Sequence, residues 1–127
     1  MTHDEQRIAI AKACGWTDIR RQRLWAGDQD LWGTKLIGGE KHRNRLPDYL
    51  NDLNAMHKAM QVLVDKGLMW QFANQIIGII CSAKGLSLQT LEQQDYLIFL
   101  ASSTAELEAE AFLRTLGLWQ ESNTQPQ

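Results

Sequence analysis

Apolar and polar positions follow different rhythms along this chain, and each rhythm predicts an element. Ile8, Ala11 and Cys14, flanked by Ile10 and Ala13, recur near the helical period and predict a first helix. Thr2 and Glu5 have the spacing of a capping box, in which hydroxyl and carboxylate each satisfy a backbone N–H that the first turn leaves unpaired, and Gly15 supplies a left-handed stop. From Trp16 to Trp25 the rhythm loosens to alternation, with Trp16, Ile19 and Leu24 among polar residues and Gly27-Asp28 as punctuation, so a strand is expected there. Residues 26 to 47 hold Gly27, Gly33, Gly38, Gly39 and Pro47, with Leu31-Trp32 and Leu36-Ile37 as the apolar runs, and read as a loop with one or two short strands.

The helical rhythm returns from Pro47 to Asp65, where Leu50, Leu53, Met56, Met60, Leu63 and Val64 fall on one face and Asp52, Asn54, Lys58 and Gln61 off it; Asp48 or Asn51 is the expected cap. Leu68 to Cys81 reads either as a further helix or as a helix running into an Ile-rich strand at Ile76–Ile80. Leu86 to Leu91 reads as a turn and connection. Tyr96 to Leu100 reads as a buried strand, with a buried helical turn as the alternative. Ser103 with Glu106 repeats the capping-box spacing and opens a last helix, with Leu107, Ala111 and Leu116 inward and Gly117 as its stop. The expectation is one α+β domain over residues 1–119, a small α-β-α sandwich with helices packed on a short, mostly antiparallel sheet, and a frayed polar tail at 120–127.

A chain of 127 residues with 44% hydrophobic and 22% charged residues is globular in composition, neither disordered nor a disulfide framework. No apolar run is long enough for a signal peptide or a membrane span, so a cytoplasmic protein is expected. Cys14 and Cys81 have no second Cys or His at ligand spacing and read as small buried hydrophobes rather than as metal ligands or a disulfide. No cofactor motif occurs.

Charge changes the picture more than composition does. The formal net charge is −2, which argues against a protein that coats nucleic acid generally. Yet residues 20 to 45 carry Arg20, Arg21, Arg23, Lys35, Lys41, Arg43 and Arg45 against only Asp28, Asp30 and Glu40, and the rest of the chain is acidic. The same segment holds Trp25, Trp32, His42 and four glycines. Guanidinium forks suit phosphate, flat indoles suit stacking, and bare glycine backbone suits oxyanions. Solvated strand charges and core tryptophans are the competing explanation, and alternation could send Arg20 and Arg21 to opposite sides of a sheet.

Three stretches, EQRIAIAKACGW (Glu5 to Trp16), LPDYLNDLNAMHKA (Leu46 to Ala59) and AEAFLRTLGLW (Ala109 to Trp119), resemble the small phage and prophage proteins of the phage α-β-α sandwich domain family. The resemblance implies a viral or prophage origin and a sandwich of helices about a sheet, and carries no general catalytic assignment. It does not extend to Asp18–Arg45, the basic segment.

Catalytic signatures are missing from the sequence. Gly38-Gly39-Glu40-Lys41 lacks P-loop spacing, and no GxSxG, HExxH or GxGxxG occurs. Ser102, Ser103 and Thr104 are explained by a helix cap, His57 by a surface or half-buried helical position, and Glu106, Glu108 and Glu110 by solvation; Trp16, Trp70 and Trp119 read as packing residues. The expectation is therefore a non-enzymatic binding protein, with an anionic small molecule, a cyclic nucleotide among the candidates, held by Arg20, Arg21, Arg23, Lys41, Arg43 and Arg45 and stacked on Trp25 or Trp32. In a phage setting such a protein serves counter-defence as a sponge for a nucleotide signal. The alternative is a module that inhibits a host or viral protein through a Trp25–Ile37 loop. Nucleic-acid binding stands third, and a basic loop meeting the acidic last helix of another copy would build a homo-oligomer.

Overall fold

The computed structural model of the chain describes residues 1–23, 29–85 and 103–121. Thr2 opens α1 (His3–Ala13), its hydroxyl accepting the Glu5 N–H at 3.1 Å, with Asp4 and Glu5 in the first turn and Lys12 in the last, each charge beside the helix end that favours it. Gly15, at φ +94°, turns the chain out of the helix, and the Trp16 N–H bonds back to the Ala11 carbonyl at 3.0 Å. The expected strand follows as β1 (Thr17–Arg23).

Residues 26 to 47 are more ordered than their composition predicts. Instead of a loop with fragments of strand, β2 (Gln29–Ile37) and β3 (Glu40–Arg45) form a full antiparallel hairpin, and β2 is the middle strand of a β1-β2-β3 sheet. The turn is Gly38-Gly39, with φ of +60° and +86°, the left-handed pair that a two-residue hairpin turn demands. β3 carries no apolar alternation to mark it, since its sequence EKHRNR has no apolar residue. It is held by its ladder to β2 rather than by burial.

Pro47–Asp65 is not one helix. The Asp48 carbonyl accepts the N–H groups of Asn51 and Asp52 at 3.1 and 2.9 Å, closing a turn, and only then does α2 (Leu53–Ala59) begin, followed across Met60 by α3 (Gln61–Lys66). Asp52, rather than Asp48 or Asn51, is the cap, its carboxylate accepting from the Asn54 and Ala55 N–H groups. Two short helices do not share one uninterrupted apolar face, so Met56 and Leu63 are fully buried while Leu53 and Val64 are exposed. α4 (Met69–Lys84) runs as a continuous helix through Ile76–Ile80, which removes the strand alternative there.

The last described helix, α5 (Ala105–Thr115), packs against α1, α2 and α4 and buries Ala109, Ala111, Phe112 and Leu113 completely, leaving Leu107 and Leu116 half-buried at its margin. Its cap is Thr104, not Ser103: Thr104 Oγ1 accepts the Leu107 N–H at 3.2 Å, and Ser103 Oγ donates to Glu108 Oε1 at 3.1 Å. One core joins sheet and helices through Ile10, Trp16, Leu31, Leu46, Met56, Phe72 and Phe112. The α+β class, with helices on an antiparallel sheet, is thus as expected. The turn at Leu86–Leu91, the strand at Tyr96–Leu100, and the tail beyond residue 121 lie outside the described residues. Among the described residues no helix is long and apolar enough to cross a membrane.

Candidate anion-binding face

Strand register decides which basic residues meet. Arg20 on β1 and Arg45 on β3 both stand opposite Trp32 on β2; Arg43 stands opposite Thr34, and Lys41 opposite Leu36. Residues directly opposite point to the same face, so Arg20, Trp32, Lys41, Arg43 and Arg45 share the outer face of the sheet. Arg21 and Arg23 do not join them. They pair with Leu31 and Gln29 and alternate to the inner side, where Arg21 makes an ion pair with Asp4 of α1. Trp25 lies outside the described residues.

The members of the outer face differ in how committed they already are. Arg43 is the most engaged: its Nη1 donates to Thr34 Oγ1 at 3.2 Å and, across the width of the sheet, to the Asp18 carbonyl at 3.0 Å and carboxylate at 3.2 Å, while Nε donates to Gln22 Oε1 at 3.2 Å. Arg45 Nε lies 3.1 Å from Asp30 Oδ2, and Arg20 lies 3.5 Å from Asp18 Oδ2, both arginines being largely exposed. Lys41 is exposed and has no ion pair among the described residues. Four cations against the carboxylates of Asp18 and Asp30 leave the face cationic. Trp32 is half-buried between its two arginine neighbours, and its indole Nε1 is buried with no hydrogen-bond partner among the described residues.

Asp30 anchors one corner. Burial pushes its carboxyl up, but the Arg7 hydrogen bond at 2.8 Å, the Leu31 N–H at 2.7 Å and the charges of Arg7 and Arg45 outweigh burial and hold it below the usual aspartate range. Arg7, which sequence reasoning passed over, also donates to the carbonyls of Pro47 at 2.9 Å and Leu46, tying α1 to the end of β3.

Beneath the inner side of the sheet lies a second concavity of about 520 Å³, bounded by Cys14, Trp16, Lys35, Pro47, Tyr49 and the facing side of α2 and α3. Burial raises the Cys14 thiol, against the opposing pull of Lys35, and burial likewise raises the neighbouring Tyr49 hydroxyl. Cys14 is therefore half-buried in a cleft wall, whereas Cys81 is buried on α4 as expected.

Two further expectations change. Glu108 does not serve solvation: it is buried, with one oxygen accepting from Ser103 and the other 3.4 Å from His57 Nε2. The carboxylate stands between histidine and hydroxyl, so this trio lacks the order in which a histidine activates a serine. Trp70 does not pack either; it is 76% exposed, while Trp16 is core and Trp119 stacks under Arg114 at 5.0 Å. Compared with models of known protein families, with curated proteins and with solved structures, the chain matches none.

Proposed function

We propose that this chain is a non-enzymatic binding protein of phage or prophage origin that captures an anionic nucleotide, cyclic nucleotides included, on the outer face of its sheet, and that it acts in the host cytosol against a nucleotide-signalled defence. One observation carries the reading: Arg20 and Arg45 flank Trp32 across the strands. Neighbouring strands lie about 4.8 Å apart, so the two guanidinium groups reach phosphate on either side of a base stacked on the indole. Lys41 adds charge without a carboxylate to release first. The resemblance of three stretches of the chain to phage α-β-α sandwich proteins supports the setting.

The test is thermal unfolding of the purified protein against linear and cyclic nucleotides at low and moderate salt. A nucleotide at a hundred times its dissociation constant stabilises the fold by about 2.7 kcal/mol. A selective shift that survives moderate salt and vanishes in Trp32→Ala and in Arg20→Ala/Arg45→Ala supports capture; no shift with any nucleotide ends the proposal for that panel. A second reading, inhibition of a protein partner, draws on Leu36 and Ile37, which are 63% and 54% exposed beside the Gly38-Gly39 turn. Under it Leu36→Asp destroys binding while the arginine variants retain it.

A further inference from the structure

The direction of main-chain groups leaves one margin of the sheet open. In a hairpin with a two-residue turn, the residues on either side of the turn exchange both of their hydrogen bonds, and bonded pairs then recur at every second residue. The Leu46 N–H donates to the Leu31 carbonyl at 3.0 Å, in phase with Glu40, His42 and Asn44. These residues therefore turn their main-chain groups to β2. Lys41, Arg43 and Arg45 turn theirs the other way, off the edge, where among the described residues no strand lies and no backbone hydrogen bond reaches them. Groups of this kind bond to water or to an added strand.

The opposite margin is not equivalent. β1 slips register between Thr17 and Arg20, and Asp18 sits in the slip at φ +48°. Such a bulge bends an edge away from a straight partner. β3 instead pairs with β2 from Glu40 to Arg45 without a slip, and it is exposed at every residue but Arg43. The three residues that turn main-chain groups outward also carry the cations. Lys41 is exposed and has no ion pair among the described residues, and Arg45 is largely exposed with its Nε beside Asp30. Arg43 leans back across β2 to Asp18, so the charge offered at this edge is concentrated at Lys41 and Arg45, four residues apart.

We propose that β3 takes up an extended acidic segment of a partner protein as an additional, antiparallel strand. The outward N–H and C=O groups of Lys41, Arg43 and Arg45 pair with alternate residues of that segment, and residues that pair directly lie on the same face. The cations then select carboxylates at two positions four residues apart, opposite Lys41 and Arg45, while the residue between them, opposite Arg43, is unrestricted. A carboxylate moved by one position points to the inner side of the sheet and loses its cation. Nucleotide capture engages side chains alone and leaves the three outward amides unprotected, so either reading can fail without the other.

The probe is an acetylated and amidated seven-residue peptide of threonine and valine with glutamate at its second and sixth positions; the control moves the later glutamate to the fifth. Binding is read from backbone ¹H–¹⁵N signals. With the probe, the amide signals of Lys41, Arg43 and Arg45 are expected to move downfield and their exchange with solvent to slow, while those of Glu40, His42 and Asn44, already bonded to β2, change less. The control binds several-fold more weakly, through loss of one cross-strand charge pair. Lys41→Pro removes an outward N–H without touching the ladder to β2, and weakens binding more than Lys41→Gln, which removes the charge alone. If the proline unfolds the chain, N-methylation of the peptide's fourth residue, which opposes Arg43, makes the same test from the other strand. No binding, equal binding of the control, unchanged exchange of the three amides, or a folded Lys41→Pro protein that binds as well as Lys41→Gln overturns the proposal. Protection of the same amides on concentrating the protein without peptide also overturns it, by assigning the edge to a second copy.

Discussion

Arg43 on β3 reaches over the middle strand to hold Asp18 on β1, accepting no help from the residues between except a contact with Thr34. Asp18 has φ +48° and sits where the β1–β2 register slips between Thr17 and Arg20. The bulge places a non-glycine residue in a left-handed conformation, and the guanidinium bonds to both its backbone carbonyl and its side chain.

Arg43→Ala is therefore expected to lower stability by about 1–2 kcal/mol, the range for losing partly screened hydrogen bonds to a charged group. Arg43→Lys recovers little, because a single ammonium cannot reproduce the fork. Urea unfolding with unchanged slope is the measurement; a midpoint equal to that of the parent removes Arg43 from this structural role.

Gly33→Ala should also destabilise. A Cβ there meets Trp16 Cε3 at 3.0 Å, Leu46 Cδ2 at 3.1 Å and Ile19 Cγ1 at 3.2 Å, so packed core atoms must shift, at a cost of about 1–3 kcal/mol. The loss appears as a lower melting temperature, together with altered near-ultraviolet dichroism from Trp16.

Asp30 gives an acid dependence. Its folded-state pKa lies below its ordinary value, so the stability it contributes is complete above the ordinary aspartate pKa and is lost as pH falls below about 4 toward the folded value. Asp30→Asn is less stable than the parent at neutral pH, and the gap narrows as both are acidified. Urea midpoints from neutral pH down into this range test the sign; a gap that widens on acidification contradicts the assignment.

Trp70→Ser is expected to change stability by no more than about 0.5 kcal/mol, because the indole is largely in solvent. Thermal unfolding checks this, and a large loss would show that Trp70 is covered in solution.

Local patterns in the sequence marked α1, β1 and the last helix, where capping residues and apolar period agree. β3 was illegible because an edge strand without apolar residues has no rhythm to read, although Gly38-Gly39 was a hairpin signal in plain view. The late start of α2 was hidden by three cap-competent residues within five positions, Asp48, Asn51 and Asp52. The basic segment was visible, but only the register could separate Arg21 and Arg23 from Arg20. Trp70 and Phe72 are about 200° apart around a helix, so burying Phe72 turns Trp70 outward. The same step means that Glu106, Glu108 and Glu110 cannot all face water. Arg7 gave no local signal, since its partners Asp30, Leu46 and Pro47 are distant in sequence.

Among the described residues β1 and β3 are the two margins of the sheet, each offering unpaired backbone groups to any passing strand. Arg20, Arg21 and Arg23 line one margin and Lys41, Arg43 and Arg45 the other. Mutual repulsion between these rims keeps one molecule from templating the next.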